Sequence, residues 1–205
     1  MDNKLKVSSD LTGKMKGMVV ITTSMTNNPN CEKCSHIHGS ICEHCYSKKA
    51  LSYRPNVKDR YELNGKILSS AILPDEELPI LNAAYVRFES HGDLINETHL
   101  ENYINICNKN RYTHFALWTK NYNLILNYFK SHKKPSNLNI VISSLMLNVP
   151  ISPKRFDALG LNVKTFTVYH KEHAEHVDIN CGGRCCLTCL KCYTSRCKTI
   201  KEQLN

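Results

Sequence analysis

Apolar residues in this chain come in short β-branched runs that alternate with stretches of helical periodicity. Met18-Val-Val-Ile-Thr-Thr-Ser24 reads as a buried first strand, running into a polar turn at Asn27-Asn28-Pro29. From Val57 to Ile72 the positions Val57, Tyr61, Asn64, Leu68 and Ile72 share one helical stripe, which Pro74 ends. Ala84 to Glu89 is a second strand. Glu97 to Cys107 is a helix with Leu100, Ile104 and Cys107 at i, i+4 and i+7, which makes Cys107 a core thiol. His114 to Thr119 is a third strand, followed by a helix over Tyr122, Ile125 and Phe129. Asn139 to Ser143 is a fourth, Pro153 to Leu159 at most a short helix, and Val163 to Tyr169 a fifth strand.

Strands that alternate with helices through short connections argue for parallel β/α units, each strand buried under helices. The count is too low for an eight-stranded barrel. The expected fold is therefore α/β: an incomplete (β/α) barrel of about five or six mostly parallel strands, closed by a cysteine-rich C-terminal tail. One domain over residues 1–205 is the economical division. It comprises a polar, flexible start at 1–16, a β/α core at 17–170 with a cysteine loop at 31–45, and a tail at 171–205.

Composition changes the picture chiefly through cysteine, of which the chain has 11. No secretory signal opens the sequence, and no apolar run approaches a membrane span. Cytoplasmic residence, no membrane partner and metal-bound thiols are the expectation, in place of a disulfide scaffold. Six cysteines fall between Cys181 and Cys197, and Cys186-x2-Cys189-x2-Cys192 lies inside that run. Three thiolates at that pitch can wrap one face of a [4Fe–4S] cluster, with a fourth from Cys181 or elsewhere. A single zinc is the alternative, although structural zinc usually takes separated C-x2–4-C pairs. The adjacent thiols Cys185 and Cys186 disfavour a bridge between them. Near the other end, Cys31-x2-Cys34 and Cys42-x2-Cys45 form a second set that would on its own suit a zinc knuckle.

The formal charge of +9 raises the prospect of a nucleic-acid partner. Clusters on thiolates would offset part of it, at about −2 for each four-thiolate [4Fe–4S] site. The basic residues are also dispersed along the chain, as on an ordinary soluble surface.

In parallel α/β proteins ligand chemistry gathers at the C-terminal ends of the strands. The first strand leads into the Cys31–Cys45 loop, and the second into Arg87-Phe-Glu89-Ser90-His-Gly92-Asp93. The third ends in Trp118-Thr119-Lys120, the fourth in Ser143-Ser144, and the fifth in Tyr169-His170. Strand parity puts Arg87 and Glu89 on one face. Arg87 would hold an anionic group, and Glu89 or Asp93 would pair with it or with a ligand amine. The catalytic candidates are thus Arg87, Glu89, Asp93 and Lys120, with Ser90, Gly92 and Ser143 binding cofactor. The competing reading is a buried Arg87–Glu89/Asp93 network that only closes the strand end. His170, His173 and His176 read as one face of a solvated helix.

These residues carry a resemblance. Cys42-x2-Cys45-Tyr-Ser-x-Lys48, Arg87-x2-Ser-x-Gly-Asp93, Phe115-x2-Trp-Thr-Lys120 and the closing Cys186-x2-Cys189-x2-Cys192 together resemble the phage gene product 88 family, over about Asn3 to Cys192. The cysteine loop after the first strand is also similar to that of radical S-adenosylmethionine enzymes. That second likeness implies a partial β/α barrel with a [4Fe–4S] cluster, and S-adenosylmethionine as a further cofactor. Two departures in that part of the chain weigh against the latter: the Cys31–Cys45 loop holds no C-x3-C-x2-C, since Cys31 and Cys34 stand well back from Cys42 and Cys45, and Ser90-His-Gly-Asp93 stands where a Gly-Gly-Glu would be.

The functional expectation is an iron–sulfur protein with one or two [4Fe–4S] clusters, working as a redox or radical-type enzyme with an electron donor or a small-molecule substrate as partner. Its metal ligands would be Cys31, Cys34, Cys42, Cys45, Cys181, Cys186, Cys189 and Cys192. The alternatives are a zinc-stabilised nucleic-acid-binding module, or a non-catalytic iron–sulfur electron-transfer or structural phage protein.

Overall fold

The computed structural model describes residues 4–9 and 11–204. Six strands, β1 (Val19–Ile21), β2 (Tyr85–Phe88), β3 (His114–Thr119), β4 (Leu138–Ser143), β5 (Lys164–Tyr169) and β6 (Thr199–Gln203), form one open sheet in chain order, every pair parallel. The helices are α1 (Pro29–Ser35), α2 (Tyr46–Ser52), α3 (Pro55–Ser70), α4 (Glu97–Lys109), α5 (Tyr122–Tyr128), α6 (Lys154–Asp157), α7 (Lys171–Ala174) and α8 (Cys186–Cys189). Sequential parallel strands joined by crossovers of one hand place the connecting helices on one face of the sheet.

Alternation along the strands sorts the two faces. Ile21, Val86, Phe88, Phe115, Leu117, Leu138, Ile140 and Ile142 join Leu68, Leu100, Tyr103, Ile106 and Ile125 in the main core, beneath the helices. Cys107 is fully buried there, as its place in the helical stripe requires. The intervening residues Tyr85, Ala116 and Trp118 face the other way, where Tyr193, Cys186, Leu190 and Cys192 pack on them together with Met18 and Met15. The cysteine-rich segment therefore lies across the second face.

Local chemistry sets the element ends. The Asn28 side chain caps α1, accepting from the N–H groups of Asn30 (3.0 Å) and Cys31 (3.1 Å), and Pro29 fills the first turn. Asn96 caps α4 through the His99 N–H at 3.0 Å.

Three features depart from the sequence expectation. The first strand is shorter than Met18 to Ser24, because Thr22, Thr23 and Ser24 turn away into a buried polar network. A sixth strand lies inside the expected tail: Thr-Ile-Lys-Glu-Gln is mostly polar, with only Ile200 buried, and it sits at the sheet edge. The expected flexible start falls partly on residues 1–3 and 10, outside the described residues. Of the remainder, Ser8 exchanges two backbone hydrogen bonds with Val20, at 2.9 and 2.8 Å, and the Asn64 side chain bonds the Lys6 backbone at 2.7 and 2.8 Å. Ser8 beside β1 and Cys181, which bridges to Glu202 beside β6, cover part of the two open edges of the sheet. Among the described residues no helix is long and apolar enough to cross a membrane.

Candidate functional site

The N-terminal cysteine loop packs over the C-terminal ends of the central strands. Ser40 bridges to Met146, and the Ile41 N–H donates to the Leu145 carbonyl at 2.9 Å, both just beyond β4. Cys31 and Cys34 ride on α1, and Cys45 stands at the start of α2. The thiols of Cys34 and Cys42 share a hydrogen bond, which holds Cys34 below the usual thiol range and pushes Cys42 well above it. Burial, then the charges of Asp93 and Glu89, push Cys31 up as well. Lys120 is the cation of this group. Burial works against its charge, but Cys42, Asp93, Tyr46 and Cys31 outweigh that and raise its pKa.

The turn after β2 divides the sequence candidates. Glu89 has φ of 55°, a left-handed conformation that ends the strand alternation. Its carboxylate swings under the helices, so it does not share a face with Arg87 as strand parity alone predicts. There it accepts from the Tyr103 hydroxyl (2.5 Å), the Thr23 hydroxyl (3.0 Å) and the Thr23 N–H (3.3 Å). The His99 Nε2 stands 3.3 Å away, off the line of a good hydrogen bond. His99 Nδ1 accepts from the Ile95 N–H, which assigns the ring proton to Nε2, facing Glu89. Burial opposes the charged carboxylate, yet these partners hold Glu89 below the usual carboxylate range.

Asp93 is likewise enclosed. It accepts from the Thr119 hydroxyl (2.5 Å), its neighbour Leu94 N–H (2.7 Å) and the Lys120 N–H (2.8 Å), tying the β2 turn to the end of β3. Burial raises its pKa against those donors. At Gly92 a Cβ would lie 2.3 Å from the Thr23 hydroxyl, 2.7 Å from its carbonyl and 2.8 Å from Glu89 Oε2. The missing side chain makes room for this network. Ser90 is buried, and its hydroxyl has no hydrogen-bond partner. Ser143 contributes its carbonyl, which accepts from the Tyr122 hydroxyl at 2.5 Å.

His91 sits between the rings of Tyr46 (5.7 Å) and Tyr61 (5.3 Å) and contacts the Ser47 hydroxyl at 3.0 Å. Burial and the charge of Arg87 lower its pKa to about 4, so the ring is neutral at pH 7.

On the opposite face the second cysteine set lines a cavity of about 410 Å³ with Lys14, Trp118 and Tyr193. All four expected ligands, Cys181, Cys186, Cys189 and Cys192, are in its wall. The N-terminal segment holds this part down: Lys14 pairs with Glu202, and the Cys185 thiol donates to the Lys16 carbonyl at 3.2 Å. Arg87 lies over the Trp118 ring, 3.8 Å from its centroid. Its Nε and the Tyr193 hydroxyl are buried, and neither has a hydrogen-bond partner. Burial raises the thiols, Cys181 to about 11 and Cys192 to about 12, with neighbouring acidic groups adding to the effect. Arg87 opposes the rise at Cys186 and Cys192, and Lys14 opposes it at Cys181 and Cys186.

The eight candidate cysteines are thus in two sets, one at the strand ends and one against the sheet face. Arg87 carries influence to both sides, acting on Cys186, Cys192 and Tyr193 and also on Tyr46 and His91. Among the described residues no three His, Cys, Asp or Glu side chains stand closely enough together to hold a single metal ion. A mononuclear zinc needs four ligands about 2.0–2.3 Å from one point. A polynuclear cluster keeps its thiolates farther apart, each on a different iron, and its sulfurs accept hydrogen bonds. Four thiols around one cavity, with two buried donors lacking partners beside it, are a donor set that a thiolate-held cluster would use.

The sequence puts Trp118 at a strand end and gives no site role to it, Lys14 or Tyr193. Their spacing carries no motif, and only the folding of the C-terminal segment across the sheet brings them together. Among the described residues His170, His173 and His176 join no such group; all three are exposed, and since α7 ends at Ala174 only His173 lies in the helix, so they do not form the expected helix face.

The profile of the family described as gene product 88 matches residues 2–192, a span that ends on the last cysteine of Cys186-x2-Cys189-x2-Cys192. No curated protein and no solved structure matches the chain.

Proposed function

The chain belongs to the gene product 88 family, and on that premise we propose that it is an iron–sulfur protein, a [4Fe–4S]-dependent redox enzyme. The observation that carries this reading is the cavity walled by Cys181, Cys186, Cys189 and Cys192, with the unpartnered buried donors of Arg87 and Tyr193 beside it. Cys31, Cys34, Cys42 and Cys45 are the ligands of a second cluster at the strand ends. The sheet order supports reading the fold as an opened β/α barrel: strands follow the chain, helices cover one face, and the second face receives the cysteine segment.

When bound, the clusters supply one-electron transfer. The chain's own groups do the rest. Lys14 and Arg87 set positive charge against the thiolates of the tail set, and Lys120 does so at the loop set. His91 stays neutral and holds Ser47 and Tyr46 in place, keeping α2 against the turn after β2. Asp93 fixes the backbone from which Lys120 projects. Glu89, sealed beneath the helices, orders this turn and does not touch substrate. A small-molecule acceptor would enter where Lys120, Tyr46 and Arg87 approach one another.

Anaerobic purification followed by iron, sulfide and zinc analysis tests the reading. It expects a coloured protein with about equal iron and acid-labile sulfide, and an electron paramagnetic resonance signal on reduction. A colourless protein with stoichiometric zinc overturns it and favours a zinc-stabilised binding module. Reduction with and without S-adenosylmethionine then separates a radical enzyme, which cleaves it, from an electron carrier, which does not.

A further inference from the structure

Buried polar atoms in folded proteins nearly always have a partner, and an orphaned one points to a group that is missing. Two of the orphans, Arg87 Nε and Tyr193 Oη, belong to one place. Arg87 stacks on Trp118 at 3.8 Å, and Tyr193 meets the same ring edge-on, 6.3 Å between centroids. Trp118 and Tyr193 both line the cavity that holds the four tail cysteines. Arg87 Nη1 meets only the weak acceptor Met15 Sδ at 3.6 Å, and Arg87 makes no ion pair among the described residues. The Tyr193 backbone is tied to the sheet, its carbonyl accepting from Asn139 Nδ2 at 3.0 Å.

Resting on the iron–sulfur reading above, we infer that Arg87 and Tyr193 donate hydrogen bonds to the sulfurs of the cluster held by Cys186, Cys189 and Cys192, and thereby set its reduction potential. Reduction adds one negative charge to the cluster and none to the protein. A guanidinium and a hydroxyl directed at its sulfurs stabilise the reduced form more than the oxidised one, which raises the potential. The two residues act through the cluster and are positioning residues. The loop set at Cys31–Cys45 has Lys120 and the unpartnered Ser90 hydroxyl near it but, among the described residues, no orphaned guanidinium donor, so the two clusters should differ in potential.

The test is a redox titration of the anaerobically prepared full chain, followed by electron paramagnetic resonance, for the native protein, Tyr193→Phe, Arg87→Lys and Arg87→Met. Tyr193→Phe should shift the tail cluster's reduction equilibrium toward the oxidised form by about tenfold, about 59 mV for one electron. Arg87→Lys keeps the charge but loses the planar fork and should shift it the same way, and Arg87→Met should shift it further. In Tyr193→Phe and Arg87→Lys, which keep the charge at position 87, the other cluster's potential should stay put. Iron and sulfide contents should be unchanged in Tyr193→Phe, the variant that removes a single oxygen atom. Unchanged potentials in Tyr193→Phe and Arg87→Lys, at full iron content, overturn the inference while leaving the iron–sulfur reading intact. Absence of iron and sulfide from the native protein overturns both. If Arg87→Met does not load iron, the other two variants decide.

Discussion

The two faces of the sheet treat their buried polar groups differently. Beneath the helices Glu89 is surrounded by the Thr23 hydroxyl and N–H, the Tyr103 hydroxyl and His99, and Asp93 by Thr119, Leu94 and Lys120. Against the second face, Arg87 Nε and the Tyr193 hydroxyl are as deeply buried and have no partner. His99 Nε2 and the Ser90 hydroxyl are also buried without a hydrogen-bond partner, so the contrast lies in the charged groups: the two carboxylates each accept several hydrogen bonds, whereas the Arg87 Nε gives none. By that criterion the carboxylates of the β2 turn act in holding the turn together, and the proposed cluster site is the one beside Arg87 and Trp118. Sequence order gives no hint of this division, since Arg87 and Glu89 are only two residues apart.

The largest test strikes the satisfied side. Glu89→Ala would leave the Tyr103 hydroxyl, the Thr23 donors and His99 Nε2 facing an empty buried space. Removing one member of such a network costs about 3–5 kcal/mol. Urea unfolding should show a loss of that size, and a loss below about 1 kcal/mol would break the comparison at its stronger end.

Gly92→Ala should follow. A Cβ placed 2.3 Å from the Thr23 hydroxyl and 2.7 Å from its carbonyl must displace backbone, and overpacking of that kind costs about 1–3 kcal/mol. If Gly92 instead serves a bound cofactor, the variant would keep its unfolding midpoint and lose cluster or ligand. The two readouts, stability and iron content, therefore tell packing from binding at this position.

A smaller effect is expected from His91, which sits between the two regions. Its folded pKa of about 4 lies below the ordinary value of 6.5, so the folded state resists its protonation. The stability this provides is complete above pH 6.5 and is lost as pH falls from 6.5 toward about 4. The melting temperature of the native protein should drop through that window, and His91→Gln should flatten the drop. An unchanged slope would mean that the ring is hydrated, with Tyr46 and Tyr61 failing to shield it.

Much of the scaffold was legible beforehand. β3 is buried at four of its six positions and stands out as an apolar run, and α4 keeps Leu100, Ile104 and Cys107 on its inner face. Both follow from periodicity that burial enforces. β6 was not legible, because Thr199–Gln203 buries only one side chain and takes its identity from pairing with β5. The grouping of cysteines into two sets could be read from spacing, but their neighbours could not. Glu89 left the face that strand parity assigns it because a single residue adopted positive φ, a choice dictated by tertiary bonds to Thr23 and Tyr103. Lys14, Trp118 and Tyr193 meet only when distant segments dock on the sheet, and no local pattern encodes that meeting.

The finest test compares two tyrosines that sequence alone would treat alike. Tyr103 and Tyr193 are both buried, both pack on aromatic rings, and differ in whether the hydroxyl has a partner. Tyr103→Phe removes a donor to a buried carboxylate and should destabilise the metal-free protein by about 1.5–3 kcal/mol, the range for hydrogen bonds to charged groups. Tyr193→Phe removes a hydroxyl that is desolvated for no return in the metal-free chain. It should be neutral or stabilising there, by up to about 1 kcal/mol. After cluster loading the sign should reverse, because the hydroxyl then has sulfur to donate to and the native protein regains the advantage. Urea midpoints for both variants, before and after anaerobic reconstitution with iron and sulfide, give the four numbers needed. Equal losses for Tyr103→Phe and Tyr193→Phe without metal would mean that the Tyr193 hydroxyl is already satisfied, by an ordered water or otherwise, and the distinction between the two faces would fall with it.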